Sequence, residues 1–200
     1  MFSENIVNNA SGAVALLFRK IINDNKLNNL LETLIDVYAD NNSKNSQEKS
    51  KIKTNYNTHV DKGKMSIKIF IMVFKEILKV KDIEFSLDIK YDNKIYTASL
   101  KVDMENYHDT VSVLFKKVLK LGLNNDLDKK LDIYASSITE TNNDKFKKKY
   151  SLMQQINSSK MSFKTMVLLF HKVFECEYLT LSVLVKHGKN NLISDVTLRF

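Results

Sequence analysis

The chain has 200 residues, 44% of them hydrophobic and 27% charged, with no proline, no tryptophan and one cysteine. That length allows one large domain or two small ones with a buried core. The single cysteine, Cys176, excludes an intramolecular disulfide framework and a cysteine zinc site, and the longest nearly apolar run, Ile69 to Phe74, is far too short to span a membrane.

Thirty-one Lys and Arg against 23 Asp and Glu give a net charge of +8. Such a chain favours polyanions, although a lysine-rich solvated surface gives the same count. Met1-Phe2-Ser3-Glu4-Asn5 lacks the basic-then-apolar pattern of a signal segment. The expectation is a soluble intracellular protein, nuclear or cytoplasmic, with no membrane partner.

In chain order, Phe2 and Ile6-Val7 suggest a brief edge strand within residues 1–10. Val14, Leu17, Phe18 and Ile21 follow helical spacing, with Ser11 as N-cap, and predict a helix over 11–22. Leu30 to Ala39 alternates loosely and reads as a strand. Asn41 to Ser50 has no apolar residue and reads as a solvated loop, and Lys51 to Val60 as a weak return strand. Ser66 to Lys79 is a very apolar helix. Phe85, Leu87, Ile89 and Tyr91 then alternate with polar residues, the period of a half-buried strand. Asp92-Asn93 is a hairpin turn, and Tyr96, Ala98, Leu100 and Val102 face inward from the return strand.

Asp103 to Asp109 reads as a polar connector. Thr110 to Leu121 is a helix with Gly122 as its C-terminal signal. Leu131 to Thr141 and Lys148 to Ile156 read as a strand pair flanking Asn142-Asn143-Asp144 and the basic cluster Lys145, Lys147, Lys148 and Lys149. Ser162 to Phe174 is the last helix. Leu179 to Val185, a turn at His187-Gly188-Lys189-Asn190, and Val196 to Phe200 close the chain.

The chain repeats itself. Lys64-Met65-Ser66 recurs ninety-six residues later as Lys160-Met161-Ser162, Asp36-Val37-Tyr38-Ala39 as Asp132-Ile133-Tyr134-Ala135, and Phe74 as Phe170. Leu17-Phe18-Arg19-Lys20-Ile21 recurs at an offset of ninety-seven as Leu114-Phe115-Lys116-Lys117-Val118. A duplication split at the connector follows, giving domains 1–103 and 104–200. The expected fold class is α+β: two tandem similar domains, each of two α-β-β units with helices on one face of antiparallel sheets.

One face of each helix is then left for solvent or a ligand. It carries Arg19 and Lys20 on the first helix, Lys68, Lys75 and Lys79 on the second, Lys116, Lys117 and Lys120 on the third, and Lys164, His171 and Lys172 on the fourth. Side by side, these faces would form a basic strip suited to phosphates, without base reading. Ordinary surface lysines are the competing reading.

No catalytic pattern appears. His59, His108, His171 and His187 show no metal spacing and read as solvated. The four glycines form no phosphate loop, Cys176 lacks a nucleophile's context and reads as a small buried residue, and Asp126 and Asp128 sit in a polar loop. No enzyme, cofactor or metal is expected.

The helix-plus-strand-pair units, above all Met161 to Phe200 and Met65 to Val102, resemble the sliding-clamp family of polymerase processivity factors, the proliferating cell nuclear antigen type. The resemblance implies helices lining duplex DNA, sheets outside, replication or transcription proteins as partners at the connector (Met104, Tyr107), and a trimer or dimer. Each half is shorter than a usual clamp domain, which points to a divergent viral or plasmid-borne relative. The alternative is a non-enzymatic structural or protein-interaction protein such as a virion or assembly component. A further alternative, a saddle binding nucleic acid through its sheet, would need exposed strand aromatics, with Tyr91, Tyr96 and Tyr150 as candidates.

Overall fold

The computed structural model describes residues 10–61, 63, 65–103, 105 and 107–200. The expected edge strand in 1–10, the cap at Ser11, His59 and Met104 lie outside the described residues or side chains.

The class is α+β. Helices α1 (Ala10–Asp24), α2 (Asn28–Asn41), α3 (Ser46–Asp61) and α4 (Ile67–Met72, continued by a wider turn Val73–Ile77) precede β1 (Asp82–Tyr91) and β2 (Lys94–Val102). The second half repeats the order. It has α5 (Thr110–Val118, widened over Leu119–Leu123), α6 (Leu127–Ile138), α7 (Asn142–Asn157), α8 (Phe163–Leu168, widened over Leu169–Val173), β3 (Tyr178–His187) and β4 (Asn190–Arg199). Among the described residues, no helix is long and apolar enough to cross a membrane.

The four strands form one antiparallel sheet in the order β2-β1-β3-β4. The halves therefore meet inside the sheet, where β1 pairs with β3. Ser86 sits opposite Ser182, its own counterpart in the repeat, so a pseudo-two-fold axis passes through that pair. Ile83, Phe85, Leu87 and Ile89 of β1, and Leu179, Leu181, Val183 and Val185 of β3, point to the helices and are fully buried. Alternate positions face away and are partly exposed.

The first helix of each half packs across the boundary. α1 lies on β4 and α5 lies on β2. Within the helical layer Phe18 meets Phe74 edge-on at 5.5 Å, and their counterparts Phe115 and Phe170 meet at 5.0 Å. All four rings are sealed from solvent. Truncating one such ring to alanine costs about 3–5 kcal/mol, because burial and packing are lost together.

The four segments expected as strands over 30–39, 51–60, 131–141 and 148–156 are helical apart from 139–141, which replaces the strand pairs of two of the four expected α-β-β units by helical hairpins. Leu31, Ile35 and Ala39 are buried at intervals of four, and so are Leu127, Leu131 and Ala135. That is a helix stripe, masked in the sequence by the β-branched Val37 and Ile133 on the exposed side. The loop expected over 41–50 is also shorter, since α3 starts at Ser46. Asn45 Oδ1 accepts the Glu48 amide at 2.9 Å, while Glu48 accepts the Lys44 amide at 2.7 Å. The counterpart Thr141 Oγ1 accepts the Asp144 amide at 3.1 Å. These are reciprocal N-terminal caps.

Three expected turns agree with the backbone. Asp92 and Asn93 both have positive φ, 49° and 57°, as a tight hairpin requires. Gly188 turns the second hairpin at φ 61°, and Gly122 ends α5 at φ 136°. The ends of α4 and α8 are alike in detail. Leu78 N–H donates to Val73 O and Val80 N–H to Phe74 O, and ninety-six residues on, Phe174 N–H donates to Leu169 O and Cys176 N–H to Phe170 O, all at 2.9–3.0 Å. The closing residues Lys79 (φ 53°) and Glu175 (φ 58°) are left-handed non-glycines, a conformation costing about 1–2 kcal/mol each. The same uncommon closure in both halves supports duplication at the backbone level.

Residues 1–103 and 104–200, expressed separately, should each lack a cooperative unfolding transition, whereas mixing them should restore one. Denaturant melts followed by circular dichroism test this. A cooperative melt for either half alone would show that the shared sheet and crossed helices are dispensable.

Candidate functional site

The repeat brings the starts of α4 and α8 together. Met65, Ser66, Ile67 and Lys68 and their counterparts Met161, Ser162, Phe163 and Lys164 line one groove of about 410 Å³, closed by the connector at Tyr107 and His108 and by the start of α5 at Thr110 and Val111. Ser66 and Ser162 cap their helices by accepting the amides of Ile69 (3.2 Å) and Thr165 (3.0 Å). The floor is apolar: Met65, Ile67, Met161 and Phe163 are buried. Lys68 and Lys164 are exposed on the rim. Lys68 Nζ stands 6.0 Å from the centre of the Tyr107 ring, which packs on His108 at 3.9 Å. A mostly apolar concavity of this size with a few cations suits a small ligand or a short anchored segment.

The other expected cations do not join this site or form one strip. Lys20 Nζ donates to Asp195 O of β4 at 2.9 Å, and Lys117 Nζ donates to Ser99 O of β2 at 2.6 Å. These are counterparts, and they sit at opposite edges of the sheet. Each occupies a carbonyl on an edge strand, where an unpaired ladder would otherwise invite another chain. Arg19 is exposed on α1 beside Lys20. Lys75 Nζ donates to Lys81 O at 2.6 Å, and Lys116 Nζ reaches Asn157 O at 3.5 Å. Lys75 and Lys79 lie at the end of α4 that enters β1, whereas His171 and Lys172 lie at the end of α8 that enters β3. Because β1 and β3 are antiparallel, these are opposite ends of the sheet. Lys120 is exposed near the end of α5. Of the expected cations, the structure thus assembles Lys68 and Lys164, with Tyr107 beside them.

The other face of the helices is not simply open. Tyr38 of α2 donates to Glu76 of α4 at 2.9 Å, and burial together with that carboxylate raises the Tyr38 pKa. In the second half Lys130 of α6 pairs with Glu175 at 3.6 Å. The hairpins are themselves joined by ion pairs: Lys53 to Asp36 at 2.6 Å, and the counterpart Lys149 to Asp132 at 3.0 Å. These pairs are partly exposed and contribute little individually, about 0–1 kcal/mol.

His171 differs from the solvated residue expected. Its ring stacks on Phe200 at 4.6 Å, and Nε2 is buried without a hydrogen-bond partner. Burial first, and Lys172 second, lower its pKa below the usual 6.5. Cys176 is buried as expected, and burial pushes its thiol up to about 12 against a smaller opposing effect of Lys130, so it stays protonated near neutrality. Among the described residues no three His, Cys, Asp or Glu side chains are placed to hold a metal ion. Tyr91 and Tyr96 are half-buried, 6.5 Å apart, and Tyr150 stands on a helix, so the three do not form an aromatic sheet surface.

The groove was missed in the sequence, although its signal was there. The repeated Met-Ser pair, Met65-Ser66 and Met161-Ser162, names its walls twice, but only the fold brings the two copies to one groove. No protein-family model, curated protein or solved structure matches the chain.

The His171 environment has a testable consequence. A folded-state pKa below the unfolded value means that the unfolded chain binds the extra proton more readily. Stability is then full above about pH 6.5 and declines as the pH falls through that value. Urea melts between pH 7.5 and 5 should show this decline, and His171→Phe should remove that part of it. An unchanged pH profile in the variant would show that His171 carries none of the dependence.

Proposed function

We propose that this protein is a non-enzymatic interaction module whose groove on the pseudo-two-fold axis takes an acidic and apolar segment of a partner protein. The observation that carries the reading is that Lys68 and its counterpart Lys164 line one groove over a shared apolar floor. Opposite charge steers the partner and fixes its register, and apolar side chains entering the floor supply most of the affinity. Tyr107, at the groove's rim, is the expected partner-contacting residue.

Peptides selected on the purified protein from a random library should pair Asp or Glu with Leu, Ile or Phe. Their affinity should fall about tenfold or more in Lys68→Glu/Lys164→Glu, as expected when attraction becomes repulsion. Selection of peptides with no acidic preference, or binding unchanged in the double variant, would defeat the reading.

Association with duplex DNA is the second reading, in keeping with the clamp-like resemblance and favoured by the net charge of +8. It predicts retention on immobilised duplex that is lost steeply as salt rises. Lys120→Glu/Lys172→Glu should elute earlier than the parent protein. Failure of the parent to bind at low salt excludes this reading.

A further inference from the structure

We infer that the outer face of α7 is a stacking platform for single-stranded nucleic acid, centred on Phe146 and Tyr150. Both rings are large and exposed, at 69% and 56%. They lie one helical turn apart, nearly parallel at 14°, with centres separated by 6.2 Å. Nothing in the described structure packs over them. Two nearly parallel aromatic rings open to water offer stacking surfaces to unpaired bases, which any base can present.

The surrounding charge selects the ligand. α7 carries four lysines against the single carboxylate Asp144, which is engaged at the helix start by Thr141. The lysines divide by direction. Lys145 and Lys149 turn inward to Asp132 of α6, and Lys149 also reaches Asp128 at 2.8 Å. Lys147 and Lys148 are exposed and have no carboxylate partner in the described structure. On the exposed part of the helix Lys147 lies one turn from Tyr150, Lys148 lies further round, and the helix offers no free carboxylate there. Phosphates answer the cations and bases answer the rings. A paired duplex keeps its base faces stacked inside, so it meets only the cations.

The other half of the chain has polar residues where the rings stand. α3 is the counterpart of α7, with the same length. Its Lys53 pairs inward with Asp36 as the counterpart Lys149 does with Asp132, and Lys49 pairs with Asp40 where Lys145 reaches Asp132. Where α7 has Phe146 and Tyr150, α3 has the exposed Ser50 and Thr54. The shared scaffold keeps the inward lysines in both copies, while the aromatic pair belongs to one copy alone.

The test uses the full chain, an oligo-dT strand, a duplex of equal length and an abasic strand of equal length, with binding read by fluorescence anisotropy. The oligo-dT strand should bind more tightly than the other two. It should also quench tyrosine fluorescence, which no tryptophan obscures. Phe146→Ser/Tyr150→Thr, which installs the other copy's residues, should weaken oligo-dT binding about tenfold or more with an unchanged unfolding midpoint. Lys147→Glu/Lys148→Glu should reduce the salt dependence on every probe. The inference is overturned if the protein binds none of the probes, if the abasic strand binds as well as oligo-dT, or if the aromatic double variant binds like the parent. It is also overturned if that variant changes only the protein's self-association, which would make the rings a protein contact.

Discussion

The pairing of β1 with β3 is the constraint on which the rest of the molecule depends. Each strand is buried on one face and needs a partner on each side, and each hairpin alone supplies one. Joining the hairpins at Ser86 and Ser182 makes a four-stranded sheet that is symmetric about its centre. A two-fold contact uses the same surface twice, so it is self-complementary wherever it is complementary at all. That geometry fixes what lies above it. α1 covers β4, the edge strand of the other half, and α5 covers β2 in the same way, so the layer of helices ties each half to the other's edge.

Symmetry also sorts the charges. Where a lysine and its counterpart make the same contact, the contact belongs to the scaffold. Lys20 and Lys117 occupy edge carbonyls, and Lys53 and Lys149 hold the hairpins. A net charge of +8 therefore overstates the charge available to a ligand, because many cations already serve the chain's own backbone and carboxylates. The two places that stand out do so for opposite reasons. The groove exists because two copies of one segment meet on the axis. The face of α7 differs because one copy departs from the other.

Much of this was legible along the chain. The four apolar helices, both hairpins with their turns and the inward strand residues follow from periodicities of 3.6 and 2 and from turn residues with few alternatives. The hairpin helices α2, α3, α6 and α7 were not. Their buried stripes are narrow: Leu31, Ile35 and Ala39 in α2, and Leu152 and Ile156 in α7. Tertiary contact outweighs such weak local preference. The capping pairs Asn45 with Glu48 and Thr141 with Asp144 were the available clue.

The sequence by itself determined that the protein is a basic α+β chain in which short residue patterns recur in the same order about ninety-six residues on. Local spacing and repeated residues are properties of one dimension, and they survive without a fold. The tertiary structure decided that the halves share one sheet, that Lys68 and Lys164 line one groove while Lys20 and Lys117 are drawn to opposite edges, and that Phe146 and Tyr150 remain outside. Those outcomes depend on which surfaces meet across about a hundred residues of chain. Burial and pairing free energies set them, and no short-range pattern encodes that choice.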